Sequence, residues 1–247
     1  MIIGAQFYTL REFCKTPEGL SESLKKVADI GYTAVQISGT CPYDPAWLAE
    51  ELKKNGLVCP LTHYNVDRIA TEAQTVADEH SVFGCDHVGI GWYDLTSPEK
   101  VDGFIEKYSV AMKTLSANGK KLMYHNHDLE FTNIDGQIML QLLADKTSPD
   151  ELGFTLDSYW VQSGGGDYCW WLKNLKGRVD CVHYKDYAYP REMRAVGDGN
   201  MNWDAIIAAS LDVGAKYAFV EQDNCNGLDP FHCLKRSYDF LKAHGLN

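Results

Sequence analysis

Hydrophobic and polar positions along the chain fall into two recurring patterns. A short run of apolar residues, such as 2–7 or 34–37, leads through a polar loop into a segment where apolar residues recur every three or four positions. The first pattern predicts a buried strand and the second an amphipathic helix. Residues that commonly begin or end helices support this division, since Thr16-Pro17-Glu18 is a typical helix start and Gly31 a typical helix end.

The strand and helix patterns alternate eight times at fairly even spacing. Such alternation favours a parallel sheet with helical crossovers, and eight units in 247 residues fit a closed (β/α)8 barrel. We therefore expect an α/β fold in which residues 1–247 form a single TIM-barrel domain. An open, doubly wound sheet is the alternative, but no G-x-G-x-x-G follows the first strand. The strands are predicted at residues 2–7, 34–37, 58–62, 86–90, 121–124, 152–156, 179–182 and 217–220, and two of the helices at 66–83 and 137–143.

Strands five to eight each end at a side chain that can bind a metal ion. Their apolar runs lead into His125, Asp157, His183 and Glu221. In a barrel the carboxyl ends of the strands meet at one face, so we expect these four side chains to lie together. A single strand-end carboxylate is more often a helix cap, but the pattern on four consecutive strands favours a shared site. Two imidazoles and two carboxylates suit one divalent ion (Mn, Mg, Co, Zn or Fe) without selecting among these metals.

The composition of the chain limits which molecules and which compartment we expect for the protein. The formal net charge is −11, which argues against a nucleic-acid binder but leaves room for a small anion in a local positive pocket. The eight cysteines form no C-x-x-C pair and several lie in apolar runs, which is typical of reduced, cytosolic proteins. With no signal-peptide pattern and no long apolar run, we expect a cytoplasmic protein that does not contact membranes.

Six motifs spread over nearly the whole chain resemble one known family. They are Gly4-Ala5-Gln6-Phe7-Tyr8-Thr9-Leu10-Arg11, Tyr124-His125-Asn126-His127, Leu156-Asp157, His183-Tyr184-Lys185-Asp186, Val196-Gly197-Asp198-Gly199 with Trp203, and Val220-Glu221-Gln222-Asp223. Through them the chain resembles the sugar phosphate isomerase/epimerase family. These are xylose isomerase-like TIM barrels that also include inosose dehydratases, ketose 3-epimerases and endonuclease IV. The motifs are specific for the superfamily and weak for the exact reaction.

The resemblance implies one divalent metal held by Glu, Asp, His and Glu on strands five to eight. Asp157, His183 and Glu221 match this pattern, whereas His125 stands where the first glutamate is usual. In the 3-epimerases the two glutamates also form the acid/base pair, so one member of that pair is missing here. Trp160 is a second departure, because the epimerase pattern Asp-x-x-His places a substrate-binding histidine at this position.

The missing glutamate leaves the acid/base role open. Glu221 is the first candidate base, and Glu130 and His127 are the next candidates if they reach back into the site. Lys185 is a candidate for stabilising an oxyanion or binding a carboxylate or phosphate, with an ion pair to Asp186 or another loop acid as the plainer interpretation. The candidate substrate-binding residues are Gln6, Tyr8, His63, Trp160 and Arg194.

The residues and the resemblance together suggest a divalent-metal-dependent isomerase or epimerase of sugars or sugar phosphates that works through a metal-stabilised enediolate. A lyase of the same fold, an inosose-type dehydratase or a 3-keto-glycoside eliminase, shares the first step and is the alternative. A non-catalytic or partner-requiring subunit is a second alternative, because one glutamate is missing, and the net charge disfavours a DNA-repair endonuclease. The expected partner is a small sugar or cyclitol, and the resemblance also implies a homodimer.

Overall fold

Eight parallel strands form a closed barrel in the computed structural model, which describes residues 1–247. Each strand pairs with the next one along the chain, and the last strand closes on the first, with Tyr217 beside Ile2. The predicted (β/α)8 TIM barrel is thereby confirmed. The barrel strands are Ile2–Gln6, Ala34–Ile37, Val58–His63, His87–Ile90, Lys121–His125, Leu152–Asp157, Cys181–Tyr184 and Tyr217–Val220.

Ten α-helices lie between and after these strands along the chain. Side-chain caps fix the starts of most of them: Thr16 accepts the N–H of Gly19 at 3.2 Å, and Asp44 accepts that of Ala46 at 2.9 Å. The helices Ala73–Val82 and Met139–Lys146 have no such cap. None of the helices combines the length and the apolar character needed to cross a membrane. The helices are Pro17–Ile30, Pro45–Lys54, Val66–Thr71, Ala73–Val82, Pro98–Ala117, Met139–Lys146, Ser158–Ser163, Tyr168–Asn174, Trp203–Asp212 and Pro230–Ala243.

Two predicted helices have different bounds in the structure. The helix expected at 66–83 is divided at Glu72, whose backbone dihedrals (φ −131°, ψ 34°) are not helical. The helix expected at 137–143 begins only at Met139, because the two residues before it pair with Asn133–Ile134 as a small antiparallel hairpin. Both differences depend on the local backbone conformation, which cannot be predicted from the spacing of apolar residues.

The connections at strands six and seven also differ from the prediction. The seventh strand is Cys181–Tyr184 instead of residues 179–182, so His183 lies within the strand and not beyond its end. The helix Ser158–Ser163 was not predicted. It begins directly after Asp157, whose side chain accepts a backbone N–H of its first turn.

The inside of the barrel has an apolar layer and a polar layer. The apolar layer consists of Ala34, Leu61, Met123, Cys181 and Phe219. Side chains of a strand alternate between its two faces, so the residue two positions later points to the same side. The residues at that spacing are polar, and they are Gln36, His63, His125, His183 and Glu221. The strand period therefore carries a polar set to the carboxyl end of the barrel, while a larger apolar core packs outside the strands.

Candidate metal centre and the cavity above it

The four predicted ligands lie together at the carboxyl end of the barrel. One ligand atom from each of His125, Asp157, His183 and Glu221 lies within 4.8 Å of the others, and all four side chains are buried. They come from the ends of strands five to eight, which meet at this face. The chain thus assembles two imidazoles and two carboxylates into one donor set of the kind that can hold a divalent ion.

A hydrogen bond on the far side of the ring orients His183. Its Nε2 lies 2.6 Å from Oε1 of Gln36 and, with the amide in this orientation, must carry the proton because an amide oxygen only accepts. In the neutral ring Nδ1 then offers a lone pair, 3.0 Å from Oε2 of Glu221 and 3.7 Å from Oδ2 of Asp157, although these carboxylates outweigh burial and raise the pKa of His183. Neither Nδ1 nor Oε2 of Glu221 has a partner with hydrogen-bond geometry. Both atoms therefore converge on one point with unshared electron pairs, as metal ligands do.

His125 is held in a similar way. Its Nδ1 lies 3.1 Å from the backbone oxygen of Gly91, which can only accept, so Nδ1 carries the proton of the neutral ring. Nε2 lies 3.3 Å from Oδ2 of Asp157. When the ring is neutral, Nε2 of His125 and Oδ2 of Asp157 face each other with lone pairs and no proton between them. A cation bound by both atoms would stabilise this arrangement.

The two carboxylates each have one oxygen engaged by the protein. Oδ1 of Asp157 accepts the backbone N–H of Trp160 at 2.9 Å, and Oε1 of Glu221 accepts an N–H of Gln6 at 2.8 Å. The remaining oxygens face the imidazole nitrogens and the ammonium of Lys185. Every side chain of the cluster is therefore anchored through one atom and directs the other towards a common point. The donor set and its orientation fit a divalent ion.

Lys185 lies against the same cluster. Its Nζ is 3.0 Å from Oε2 of Glu221, 3.4 Å from Oδ2 of Asp157 and 3.0 Å from Oδ1 of Asp223, and the side chain is 1% exposed. Burial acts to lower the pKa of Lys185, but the three carboxylates outweigh it and raise the pKa. Burial likewise acts to raise the pKa of Glu221, while Lys185 and His183 hold that pKa well below its usual range. The cluster thus keeps a charged ammonium beside ionised carboxylates.

Asp186 is not the partner of Lys185. Its buried carboxylate instead accepts the backbone N–H groups of Gly197 and Gly199 at 2.8 and 3.0 Å, and the indole N–H of Trp203 at 2.7 Å. The V-G-D-G motif and Trp203 therefore hold the loop after strand seven in place. The ion pair expected for Lys185 with a loop acid is formed with Asp223.

A cavity of about 430 Å³ opens above the cluster. Two of the predicted substrate-binding residues, Tyr8 and His63, line it together with the candidate ligands His125 and Glu221. Nδ1 of His63 lies 3.2 Å from the hydroxyl of Ser38, and its buried Nε2 has no partner. Burial, with the neighbouring histidines, holds the pKa of His63 well below its usual value, so its ring is neutral. The cavity can therefore contact a polar molecule bound above the cluster.

The two further acid/base candidates have different positions. His127 lines the cavity, its buried Nδ1 has no partner, and burial, with His125 and Lys185, lowers its pKa to about 3. Glu130 does not line the cavity. Its buried carboxylate accepts the hydroxyl of Tyr124 and, at 2.8 Å, the backbone N–H of His127. Burial raises the pKa of Glu130 to about 7. Glu130 thus supports the loop after strand five instead of reaching back into the cavity.

The other predicted substrate-binding residues lie outside the cavity lining. Gln6 is buried beneath Glu221 and binds it. The Trp160 ring lies beside the ring of His127, with centroids 4.9 Å apart, and Nζ of Lys185 lies 5.2 Å from the Trp160 centroid. These two residues support the site from behind. Arg194 pairs with Glu192 in the hairpin after strand seven and lines a separate cavity of about 360 Å³.

Two residues of the site were not predicted as such. Asp223 lines the cavity and pairs with Lys185, and Gln36 fixes the tautomer of His183. Asp223 lies two positions after Glu221, and Gln36 lies on the second strand, two positions after the apolar Ala34. The strand period predicts that Gln36 faces into the barrel, but its contact with His183 follows only from the closed sheet. Asp223 lies beyond its strand, which ends at Val220, so the period does not place it.

Sequence comparison gives no match to any protein-family model or to any curated protein. Solved structures do match. A sugar phosphate isomerase/epimerase from Parabacteroides distasonis is 21% identical, with 98% of this chain and 94% of that one covered and a TM-score of 0.86. The structure of an L-ribulose 3-epimerase is 16% identical, with 98% and 94% covered and a TM-score of 0.77. The probable 3-DHS dehydratase AsbF from Bacillus anthracis, involved in petrobactin synthesis, is 14% identical, with 98% and 99% covered and a TM-score of 0.76.

Structural likeness at these identities establishes the fold. It does not establish the reaction, because one fold can support many different reactions. The structure confirms what the motifs predicted: the chain has the xylose isomerase-like TIM-barrel fold found in sugar phosphate isomerase/epimerase structures.

Proposed function

We propose that this protein is a divalent-metal-dependent isomerase or epimerase acting on sugars or related polyhydroxy ketones. The observation that carries the proposal is the buried donor set of His125, Asp157, His183 and Glu221 at the base of an open cavity. Solved structures of the same fold include a sugar phosphate isomerase/epimerase and an L-ribulose 3-epimerase, which supports this class of reaction.

The groups around the cavity suit proton transfer next to a carbonyl. A divalent ion held by the donor set would supply Lewis-acid polarisation of that carbonyl, which makes the neighbouring C–H bond more acidic. Glu221 is the proposed base, since it lines the cavity and its depressed pKa keeps it ionised. The Lys185 ammonium is placed to donate a hydrogen bond to an oxygen that gains negative charge. His127, the other proton carrier proposed in this cavity, is neutral because burial lowers its pKa to about 3, so it can act as a second base but not as the acid that returns a proton at neutral pH.

A lyase reaction is the second candidate, and the position of Glu130 favours it. Epimerisation needs proton carriers on both faces of the reacting carbon, whereas β-elimination needs one base and a donor near the leaving group. The cavity lining contains two carboxylates, those of Glu221 and Asp223, and Asp223 is paired with Lys185. Because Glu130 is bound by its own loop, it does not replace the glutamate missing from strand five.

Deuterium incorporation distinguishes these reactions. Protein loaded with Mn²⁺ is incubated in D₂O with a panel of ketoses, inososes and sugar phosphates, and the products are followed by NMR. We expect deuterium at the carbon next to the carbonyl, together with a new epimer or isomer. Glu221→Gln should slow the exchange at least about 100-fold. The exposed Glu99→Gln, a matched control, should leave it unchanged.

An enone product with loss of water or of an aglycone would assign the lyase reaction instead. If the loaded protein exchanged no proton with any member of the panel, both proposals would fail.

A further inference from the structure

Two cysteines outside the candidate metal centre lie together in a second cavity. Cys225 follows strand eight in the loop that leads to the last helix, and Cys233 lies in the first turn of that helix. Their thiols are near enough to share a hydrogen bond. Both side chains line the cavity of about 360 Å³ that Arg194 and Arg236 also line. A small molecule can therefore reach the pair through this cavity, although the two residues are only 9% and 2% exposed.

The other six cysteines are less suited to reaction. Two of them, Cys41 and Cys169, are partly exposed, but burial raises the pKa of each, so less of the reactive thiolate is present. The remaining four are buried among apolar side chains, and they are Cys14, Cys59, Cys85 and Cys181.

The hydrogen bond between the two thiols makes them unequal. It raises the pKa of Cys225 and, with the nearby guanidinium of Arg236, lowers the pKa of Cys233. These effects outweigh burial and the carboxylates of Asp229 and Asp198, which act to raise the pKa of Cys233. The start of a helix also favours a thiolate over a thiol. Cys233 is therefore the more nucleophilic of the two, and Cys225 holds a proton beside it.

Cys225 belongs to the loop that carries Asp223 into the cavity above the candidate metal centre. Its Sγ lies 3.8 Å from the backbone oxygen of Gln222. The side-chain amides of Gln222 and Asn226 donate to the backbone oxygen of Met193 at 3.4 and 2.9 Å, which joins this loop to the hairpin after strand seven. A covalent bond from Cys225 to the last helix would restrain the loop further, because it closes a short segment of the chain.

We propose that Cys225 and Cys233 form a reversible oxidation site, at which hydrogen peroxide converts the two thiols into a disulfide that ties the loop after strand eight to the last helix. This inference is independent of the proposed reaction, since neither cysteine lines the cavity above the metal centre. Disulfides that form in reducing compartments are typically redox-sensing or catalytic.

The reaction proceeds in two steps. The Cys233 thiolate attacks one oxygen of the peroxide, the O–O bond breaks, and a sulfenic acid forms while the other oxygen leaves as water after taking up the proton that Cys233 had lost. The Cys225 sulfur then attacks the sulfenic sulfur, and its proton leaves with the hydroxyl group as a second water. The two thiols lose two electrons and two protons in total to one peroxide, and a thiol reductant restores them.

Peptide mapping follows the oxidation directly. Reduced wild-type protein is treated with hydrogen peroxide, the remaining thiols are alkylated, and the tryptic peptides are analysed by mass spectrometry. Both cysteines lie in the tryptic peptide 217–235, which should lose two hydrogen atoms and take up no alkyl group. This conversion should be at least about 10-fold faster than oxidation of Cys41, and dithiothreitol should reverse it. Backbone amide exchange of residues 222–229 should be at least about 3-fold slower in the oxidised protein.

Two variants distinguish the roles of the thiols. Cys225→Ser leaves the sulfenic acid of Cys233 without its partner, so dimedone should label Cys233 after peroxide treatment. Cys233→Ser removes the more nucleophilic thiol, so oxidation of Cys225 should be at least about 10-fold slower than in the wild type. Cys169→Ser, a matched control, replaces a partly exposed cysteine outside the pair and should form the disulfide at the wild-type rate.

If peptide 217–235 kept both thiols while Cys41 or Cys169 was oxidised, the inference would be overturned, and the same holds if this peptide gained oxygen without forming the disulfide. Amide exchange of residues 222–229 that stayed unchanged after complete oxidation would overturn the restraint of the loop.

Discussion

Replacing Lys185 with methionine should destabilise the metal-free protein strongly. The Nζ atom lies within 3.4 Å of three carboxylates and the side chain is 1% exposed, so the variant leaves buried negative charge without its cation. Removing one partner of a buried ion pair costs about 3–5 kcal/mol. For a domain of this size each kcal/mol lowers Tm by about 2–4 °C, so we expect a loss of about 6–20 °C in the presence of a chelator.

Divalent metal should then compensate for much of the loss. A cation in the donor set supplies the positive charge that Lys185 provides in its absence, and removal of the ammonium also removes its repulsion of the ion. Ligand binding to the folded state stabilises it in proportion to the logarithm of the ligand concentration over Kd. Mn²⁺ should therefore raise the Tm of Lys185→Met by more degrees than that of the wild type.

Scanning calorimetry with EDTA and then with excess Mn²⁺ measures both effects. Lys176→Met is the matched control, because Lys176 is 59% exposed and lies 3.6 Å from Asp212. An exposed pair of this kind contributes within about 0.5 kcal/mol, so the control should melt with the wild type in both buffers. If Lys185→Met melted at the same temperature as the wild type in EDTA, or if Mn²⁺ stabilised the two proteins equally, Lys185 would not be the cation that balances the buried carboxylates.

Three further predictions follow from single contacts. Gln36→Leu removes the acceptor that fixes the tautomer of a histidine ligand, so the Kd for Mn²⁺ measured by calorimetric titration should rise about 10–100-fold. Glu130 has a folded-state pKa of about 7, above its usual value, so its contribution to stability is present below about pH 4.5 and is lost as the pH rises through about 7. Relative to Glu130→Gln, the wild type should lose about 2–3 kcal/mol of unfolding free energy, measured by urea denaturation, between pH 5 and pH 8. A difference between the two proteins that did not change with pH would exclude this role of Glu130. A Cβ at Gly199 would overlap the carboxylate of Asp186, so Gly199→Ala should cost about 1–3 kcal/mol, whereas Gly103→Ala, in an open helix position, should not destabilise.

The strands and the clustering of the four candidate ligands could be predicted because both depend on local pattern. An apolar run that ends in His125, Asp157 or Glu221 indicates both where a strand lies and where it ends. The parallel strands of a barrel bring these ends to one face. The period of two along a strand explains why the polar layer lies directly above the apolar one. These are short-range relations that a single sequence retains.

The roles of Glu130 and Arg194 could not be predicted in the same way. Glu130 lies five positions after a ligand, but its carboxylate is captured by the hydroxyl of Tyr124 and by a backbone N–H of its own loop. Arg194 follows the seventh strand, but it lies in a hairpin where its backbone pairs with Asp186 and its side chain with Glu192, and it lines a separate cavity. Loop conformation decides both outcomes, and it depends on contacts that the spacing of residues does not encode.

The contact of Gln36 with His183 joins residues 147 positions apart. It exists because the closed barrel places strand two across from strand seven, and only the assembled sheet reveals it. The same holds for Asp223, whose importance follows from the location of the Lys185 ammonium.

The most direct test of the account is the metal content of the purified protein after loading with Mn²⁺, measured by elemental analysis beside Asp157→Ala and His125→Ala. We expect about one divalent ion per wild-type chain, loss of that ion in Asp157→Ala, and a marked loss in His125→Ala. Wild-type protein that held no ion after loading, or an Asp157→Ala variant that retained it fully, would contradict the assignment of this cluster as a metal centre.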